Sequence, residues 1–423
     1  MSSLFLVGDL HLGRSPHRLA PAGLDPARLD PAEAWRRLVD AAVAEEVTAV
    51  VLAGDVVDQD RDRFEAWGHL RAGVERLVEA GIGVLGVAGN HDHIALPRLV
   101  DRIPDFHLLG RGGRWERVAV GDFDLLGWSF PQRHHRGDPL DAPGLTEALE
   151  GRRLEAAAIG VIHCDLDAGR SPYAPVRRAD LAEVGLAGWF LGHVHQPGDL
   201  TARRPLGYLG SLVGLDRSET GPRGPWRVTR EGAEVRARQL ALGPVHWVDL
   251  DLDLSGLEPG GDAPDRLHAA LESRLAEVAS QEAWVGDGPF SAVGCSVRLS
   301  GRTAARAEVR AFVEDRAPGE LVFPLDGVPW AVVHLEDATR PTLDLAALGA
   351  ERTPLGQLAR LLVDLDARGD DALPAEVAQA LEAFQPAPWT PDLERHPLPP
   401  PLAVARRAAL GLLEDLLAQQ ERA

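Results

Sequence analysis

The sequence predicts an α/β fold over residues 1–242, followed by a small α+β domain over 245–340 and a proline-rich helical tail over 341–423. Three observations predict it. Short apolar runs alternate with helix-spaced apolar patterns in β-α-β-α-β order, the mark of a sheet with crossover helices. Motifs rich in Asp, His and Asn directly follow those runs. The pattern then restarts near residue 245 and fills with proline after 341.

Residues 4–8 form a first strand ending at Asp9. Over 32–46, Ala34, Leu38, Ala41 and Ala42 recur at helical spacing. A strand at 49–54, a helix at 64–80 closed by Gly81 and a strand at 83–89 complete the alternation. A Gly-Asp turn between 117–121 and 123–128 predicts a hairpin. Residues 159–163 and 189–192 are short, very apolar strands, and 206–209, 226–229 and 234–239 read as a closing antiparallel stretch. The second domain reads as strand 247–252, helix 265–280, strand 292–299, helix 304–315 and strands 321–323 and 330–335. In the tail, 355–365 and 402–419 have helical spacing, with proline segments at 386–391 and 397–401.

The totals narrow the class. A chain of 423 residues exceeds what one hydrophobic core usually serves. Apolar content of 45% and charged content of 26% are ordinary for a globular protein, and no apolar run reaches the length of a membrane span. The apolar N-terminus is short and lacks a basic leader, so it reads as a strand rather than a signal peptide. Two cysteines cannot make a disulfide framework, and a cytoplasmic location is the default expectation. The net charge is −20, and all 44 basic residues are arginine. A chain this acidic does not bind bare nucleic acid through bulk electrostatics. A nucleic-acid substrate would have to be held by local arginines, metal ions or a partner.

Five motifs carry the chemistry: Asp9-Leu10-His11, Gly54-Asp55-Val56-Val57-Asp58, Gly89-Asn90-His91-Asp92, a lone His163, and Gly192-His193-Val194-His195. Loops at the carboxyl ends of sheet strands converge on one crevice, so five such loops can deliver their side chains to one point. Carboxylates, imidazoles and an amide oxygen without any thiolate suit manganese, iron or zinc better than calcium. Asp55 can bridge two ions through its two oxygens. Two ions about 3.5–4 Å apart can clamp a phosphate and activate a water for in-line attack. His91 is the candidate general acid, and Asp92 the candidate carboxylate that holds its tautomer.

These motifs resemble the five signature blocks of the calcineurin-like metallophosphoesterases, over about residues 4–240. The resemblance implies a β-sandwich flanked by helices, a four-layer αββα architecture, with a dinuclear centre. It implies that Asp9, His11, Asp55 and His195 hold one metal, and that Asp55, Asn90, His163 and His193 hold the other. Within that superfamily the chain is most similar to the SbcD-type and YhaO-type DNA repair exonucleases. The features that carry this are Asp9-Leu10-His11-Leu12-Gly13, Tyr208-Leu209-Gly210-Ser211 after the last metal motif, the appended α+β domain, and the stretch 344–365. The implied activity is phosphodiester hydrolysis in DNA with two divalent ions, Mn²⁺ first, beside an SMC-like coiled-coil ATPase, with a homodimer as a further expectation. A small-molecule phosphoesterase and a non-catalytic DNA-end scaffold stand as alternatives. Asp58 departs from the family's eukaryotic and archaeal members, which tend to carry histidine there. The acidic tail argues against direct DNA binding by that part.

Other residues have two readings. His134 and His135, within Arg133-His134-His135-Arg136, are candidate substrate contacts or plain solvent-facing loop histidines. Arg203 and Arg204 are candidate substrate contacts, and with Arg217, Arg223 and Arg227 form either a DNA-facing rim or a solvated surface. Cys164 is expected to be a small buried hydrophobe. The apolar side of 402–419 either packs on its own domain or docks on a partner's coiled coil.

Overall fold

The computed structural model describes residues 2–16, 19, 22–153, 155–232, 234–281, 290–316, 319–367 and 401–421. The expected proline segments and His17 and His396 lie outside the described residues, apart from Pro401.

The chain begins with β1 (Ser3–Val7), α1 (Pro31–Ala44), β2 (Ala49–Ala53), α2 (Arg63–Glu79), β3 (Gly83–Val87), α3 (Ala95–Val100) and β4 (Phe106–Leu108). There follow β5 (Glu116–Val120), β6 (Phe123–Trp128), α4 (Leu145–Glu150), β7 (Ala157–His163), α5 (Arg178–Glu183), β8 (Gly188–Gly192) and β9 (Leu206–Tyr208). Then come β10 (Trp226–Glu231), β11 (Glu234–Gln239), β12 (Val245–Asp253), α6 (Ala263–Gln281), β13 (Ala292–Ser300) and β14 (Arg302–Thr303). The last elements are α7 (Arg306–Glu314), β15 (Leu321–Leu325), β16 (Val328–Asp337), β17 (Arg340–Pro341), α8 (Leu345–Ala350), α9 (Pro354–Ala367) and α10 (Pro401–Glu421).

Two sheets stack in the first part. One has the order β11-β10-β1-β2-β3-β4, the other β5-β6-β7-β8-β9. The strands that deliver the motifs run parallel: β1 to β2, β2 to β3, and β7 to β8. Their period-2 alternation sets the layers. Leu4 and Leu6 of β1 face an inter-sheet core with Val51, Leu85, Leu125, Ile159 and Phe190. Phe5 and Val7 face the other way, against Leu38 and Val39 of α1 and Leu70 and Val74 of α2. Beyond the second sheet, Leu126, Ile162 and Trp189 pack with Ala148 of α4 and Leu181 of α5. The expected helix-sheet-sheet-helix layering is therefore present. Each fully buried Leu, Ile or Phe in it contributes about 1.5–3 kcal/mol. Asp30 starts α1 by accepting from the Glu33 amide at 2.9 Å, with Pro31 at the first position. The short helices α3, α4 and α5 had no sequence signal, because none spans two turns of its period, and the three-residue β4 was not among the expected strands either.

A third sheet has the order β12-β13-β16-β15. Contact density divides the chain into two compact units. The first is Met1–Leu254 with Pro259–Ser300 and Ala307–Ala338, so it includes this third sheet. Trp247 of β12 is buried in the same core cluster as the first sheet and its helices. The second unit is Ser255–Glu258 with Gly301–Arg306 and Thr339–Ala423. In it α9 and α10 pack through Leu355, Leu362, Ala409 and Leu413, and Glu414 pairs with Arg302 and Arg340. The apolar side of α10 thus packs within its own unit, while Leu412 remains 52% exposed. Among the described residues no helix is long and apolar enough to cross a membrane.

Candidate dinuclear metal centre

Strand ends set the site's position. Asp9, Asp55 and His193 lie one or two residues beyond β1, β2 and β8, and His163 is the last residue of β7. The loops after β1 and β2 are joined by His11 N to Asp55 O (2.9 Å), Leu12 N to Val56 O (2.8 Å) and Asp58 N to Leu12 O (3.1 Å). Four motif residues hold left-handed backbone that non-glycine residues rarely adopt: Asp9 (φ 42°), His11 (51°), Asp55 (49°) and His193 (105°). Strain of this kind costs of order 1–3 kcal/mol per residue and persists where surrounding bonds impose it. Here the Asp9 carboxylate accepts from the His193 amide at 3.0 and 3.1 Å, and Asp55 Oδ1 from the His91 amide at 2.9 Å.

Glycines admit the crowding. A Cβ at Gly54, itself at φ +88°, would lie 2.6 Å from His163 Nδ1, and one at Gly89 would lie 2.2 Å from Asp55 Oδ1.

The side chains meet in two main groups. Potential ligand atoms of Asp9, His11 and His195 lie within 4.8 Å of one another, as do those of Asp55, His163 and His193; a third set, His11, Asp58 and His91, meets the same distance and shares His11 with the first. His11 Nε2 and His195 Nε2 are 3.0 Å apart. The other nitrogens of these rings face carboxylates: His11 Nδ1 is 3.0 Å from Asp58 Oδ1 and His195 Nδ1 is 2.8 Å from Glu219 Oε1. Ionised carboxylates only accept, so the protons belong on Nδ1 and two lone pairs face each other. In the second group His163 Nδ1 donates to Ala53 O (3.1 Å), and His193 Nε2 faces Asp165 Oδ1 (3.1 Å). That turns the lone pairs of His163 Nε2 and His193 Nδ1 toward each other at 3.2 Å. Asn90 Oδ1 lies 2.9 and 3.1 Å from these two nitrogens, and Asp55 Oδ2 lies 3.3 Å from His163 Nε2. Lone pairs converging at these distances repel unless a cation lies among them. The donor set therefore fits two divalent ions, and its oxygen and imidazole chemistry fits manganese, iron or zinc.

The electrostatics agree. Burial would raise the Asp55 carboxyl, but the imidazoles of His163, His11 and His91 hold it well below the usual carboxylate range. Burial opposes a proton on His163, yet Asp55 and Asp9 push that ring up to about 9. Burial, then the neighbouring His163, brings His193 down to about 4. The buried carboxylates of this cluster thus favour positive charge beside them.

His91 stands at the edge of the first group, half-buried, with its ring edge-on to His11 at 5.4 Å between centroids. Its Nδ1 donates to the Asp58 carbonyl at 2.8 Å. This corrects the role expected of Asp92. Among the described contacts, the buried Asp92 carboxylate accepts from the amides of Val56 (2.7 Å), Val57 (3.4 Å) and Gly89 (2.7 Å). Asp92 ties the second and third motif loops together, and the Asp58 carbonyl sets the His91 tautomer. Burial, then the charge of Asp55, pushes the Asp92 carboxyl up to about 7.

The substrate candidates divide. His134 is exposed and its ring lies 5.7 Å from Tyr173, whose ring lies 5.0 Å from His193. His135 bridges Tyr173 through the backbone and its ring rests on Trp128 at 5.0 Å. His134 thus stands one ring away from His193, while His135 packs on the outer core. Arg203 and Arg204 lie away from the centre. They precede β9, whereas the site lies beyond the carboxyl ends of the parallel β7 and β8, so they occupy the opposite end of the strands. Arg203 pairs there with Glu234 at 2.8 Å. Of the two readings weighed for the other arginines, the contacts at Arg227 and Arg223 are those of paired or buried side chains rather than of a free rim. Arg227 pairs with Glu45 at 2.7 Å, and Arg223 is buried, donating to four acceptors: the carbonyls of His195 (2.6 Å), Glu219 (3.2 Å) and Thr220 (2.9 Å) and Gln196 Oε1 (2.8 Å). Cys164 is fully buried in the outer core as expected, and burial raises its thiol well above the usual value.

Sequence reasoning passed over Asp165 and Glu219. Neither belongs to a repeating pattern. The available signal was only Asp165 two residues past His163, and an acid eight residues past Ser211.

Comparison with known proteins places this geometry. Residues 3–197 match the family model described as calcineurin-like phosphoesterase. The chain is 30% identical over 236 residues to the uncharacterized metallophosphoesterase YhaO of Bacillus subtilis, covering 52% of this chain and 54% of that protein. It is 29% identical over 263 residues to the DNA double-strand break repair protein Mre11 of Haloferax volcanii, covering 60% and 55%. It is 27% identical over 417 residues to the protein of that name from Aeropyrum pernix, covering 91% and 96%. The chain therefore spans about half the length of the first two relatives and nearly all of the third. The first half of this chain is a calcineurin-like metallophosphoesterase domain.

Proposed function

We propose that this protein hydrolyses phosphodiester bonds in DNA as the metal-dependent nuclease subunit of a repair complex. The observation that carries the chemistry is the pair of facing lone-pair clusters: His11 and His195 at 3.0 Å, and His163 and His193 at 3.2 Å with Asn90 and Asp55. Asp9, His11, Asp55 and His195 would hold one ion, and Asp55, Asn90, His163 and His193 the other. Two divalent ions, Mn²⁺ first among them, would polarise a phosphoryl group and activate a water near neutral pH.

The remaining work falls to this chain's side chains. Asp55 has both oxygens committed, one to the His91 amide and one beside His163, which fixes the loops relative to each other. His91 keeps Nδ1 on the Asp58 carbonyl, so Nε2 is the atom that carries a proton to the leaving oxygen. His134 and His135 would meet a substrate phosphate.

DNA as the substrate is supported by the names of the two Mre11 relatives, which are double-strand break repair proteins. An SMC-like ATPase partner is supported by the helical unit, which leaves Leu412 and Val363 exposed. A homodimer is supported by the exposed Phe64, at the start of α2, and Ile94, just before α3. The acidic chain, with a net charge of −20, needs such partners to hold DNA. A cytoplasmic setting accords with these roles.

The test incubates the full chain and Mn²⁺ with end-labelled DNA and, in parallel, with a chromogenic small diester. Cleavage of both is expected. Brisk turnover of the small ester with no cut in DNA would replace this reading with a small-molecule phosphoesterase.

A further inference from the structure

The geometry points to Glu219 as the positioning residue that fixes the tautomer and aim of His195 before any ion binds. The inference rests on the metal-centre reading above and assigns a part of it to a residue outside the five motifs.

Glu219 is only 8% exposed, and its carboxylate is fully engaged. Oε1 lies 2.8 Å from His195 Nδ1, while Oε2 accepts from Ser211 Oγ (3.0 Å) and the Leu215 amide (3.1 Å). A carboxylate accepting on both oxygens requires the proton of His195 to sit on Nδ1. The lone pair is then on Nε2, the atom that faces His11 Nε2 at 3.0 Å. The alternative tautomer would put a hydrogen where a ligand atom is needed.

The surroundings make this arrangement rigid. Ser211 touches both members of the pair: its amide donates to the His195 carbonyl at 2.9 Å and its hydroxyl to Glu219. That gives the Tyr208-Leu209-Gly210-Ser211 motif a physical task, since it holds ligand and orienting carboxylate in one frame. Arg223 donates to the His195, Glu219 and Thr220 carbonyls and so fastens the two segments together. Trp247 of β12 holds the same loop from the third sheet. Its Nε1 donates to Gly214 O at 2.9 Å, and its carbonyl accepts from the Gly221 amide at 3.4 Å. The third sheet therefore supports the metal centre through Glu219, besides any contact it makes with substrate.

The competing view makes Glu219 a buried loop staple whose bond to His195 is incidental. Ring-nitrogen spectroscopy of histidine-labelled, chelator-stripped full chain separates the two, with His195→Gln used to assign the peaks. Wild-type His195 should appear as the Nδ1–H tautomer. In Glu219→Gln the amide can donate to Nδ1, so the Nε2–H form should appear. Titration calorimetry with Mn²⁺ should show one of two sites weakened about 10–100-fold. Ser211→Ala, which leaves Oε1 in place, should keep the wild-type tautomer. An unchanged tautomer and unchanged affinity in Glu219→Gln overturns the assignment. Should that variant not fold, an Nε2–H signal for His195 in the wild type overturns it alone. Wild-type protein that binds no Mn²⁺ would instead sink the metal reading on which this role rests.

Discussion

His11 Nε2 and His195 Nε2 lie 3.0 Å apart, although each ring's other nitrogen already faces a carboxylate. Two lone pairs held against each other in a buried site are a structural demand for a cation, and the first expectation is thermal. Mn²⁺ added to chelator-treated protein at a hundred times its dissociation constant should stabilise the fold by about 2.7 kcal/mol per site. For a unit of this size that is a melting shift of roughly 4 °C per site, or about 8 °C with both sites filled. Asp55→Ala, which removes the carboxylate shared by both groups, should abolish most of the shift. A wild-type melting curve indifferent to Mn²⁺ would refute the cation argument.

His91 reaches the site with Nδ1 fixed on the Asp58 carbonyl, outside the Asp9-His11-His195 and Asp55-His163-His193 groups. Its replacement by Gln should lower kcat on DNA or an alkyl diester by ~10²–10⁴, the usual worth of a general acid. A p-nitrophenyl diester, whose leaving group needs little protonation, should lose far less. Mn²⁺ binding should persist. Equal losses on both esters would show that His91 is not the acid.

The arginines read as either a DNA-facing rim or a solvated surface separate by burial. Arg204 is exposed at the far end of the strands, so Arg204→Ala should leave DNA cleavage and its salt dependence unchanged. Arg223 is buried among four acceptors, and Arg223→Ala should cost about 3 kcal/mol by stranding them. DNA cleavage by Arg204→Ala over a salt series checks the first statement, and chemical denaturation of both variants beside wild type checks the second. A destabilised Arg204→Ala with an unaffected Arg223→Ala would reverse the assignment.

His246 of β12 supplies a pH dependence away from the metal groups. Burial, then the nearby Arg223, brings its ring down to about 4 from the ordinary 6.5. As pH falls from 6.5 toward 4, the unfolded chain takes up a proton that the folded chain refuses. Stability from this group is complete above 6.5 and is lost through that window, by up to about 3 kcal/mol. In urea titrations at several pH values, His246→Leu should show a shallower acid loss than wild type. Identical pH slopes would mean that His246 titrates normally in the fold.

The sequence by itself determined an α/β fold and the seven candidate ligands, and its family resemblance implied the layering. Strand alternation such as Leu4 and Leu6 against Phe5 and Val7 is local, and each motif closes its own strand. Tertiary structure decided what the neighbours of those ligands do. Asp92 turned out to accept backbone amides from two loops, and the His91 tautomer passed to the carbonyl of Asp58, 33 residues away. Glu219, Asp165 and the burial of Arg223 had little readable signal, because the partners that give them a task, His195 for Glu219 and Arg223, and His193 for Asp165, come from another segment, and a hydrogen bond between distant segments leaves no period in the chain. Arg203 and Arg204 looked basic and available in one dimension; the direction of β9 put them at the wrong end of the sheet. Periodicity records which face of an element is buried, whereas orientation at a site depends on which loops the fold brings together.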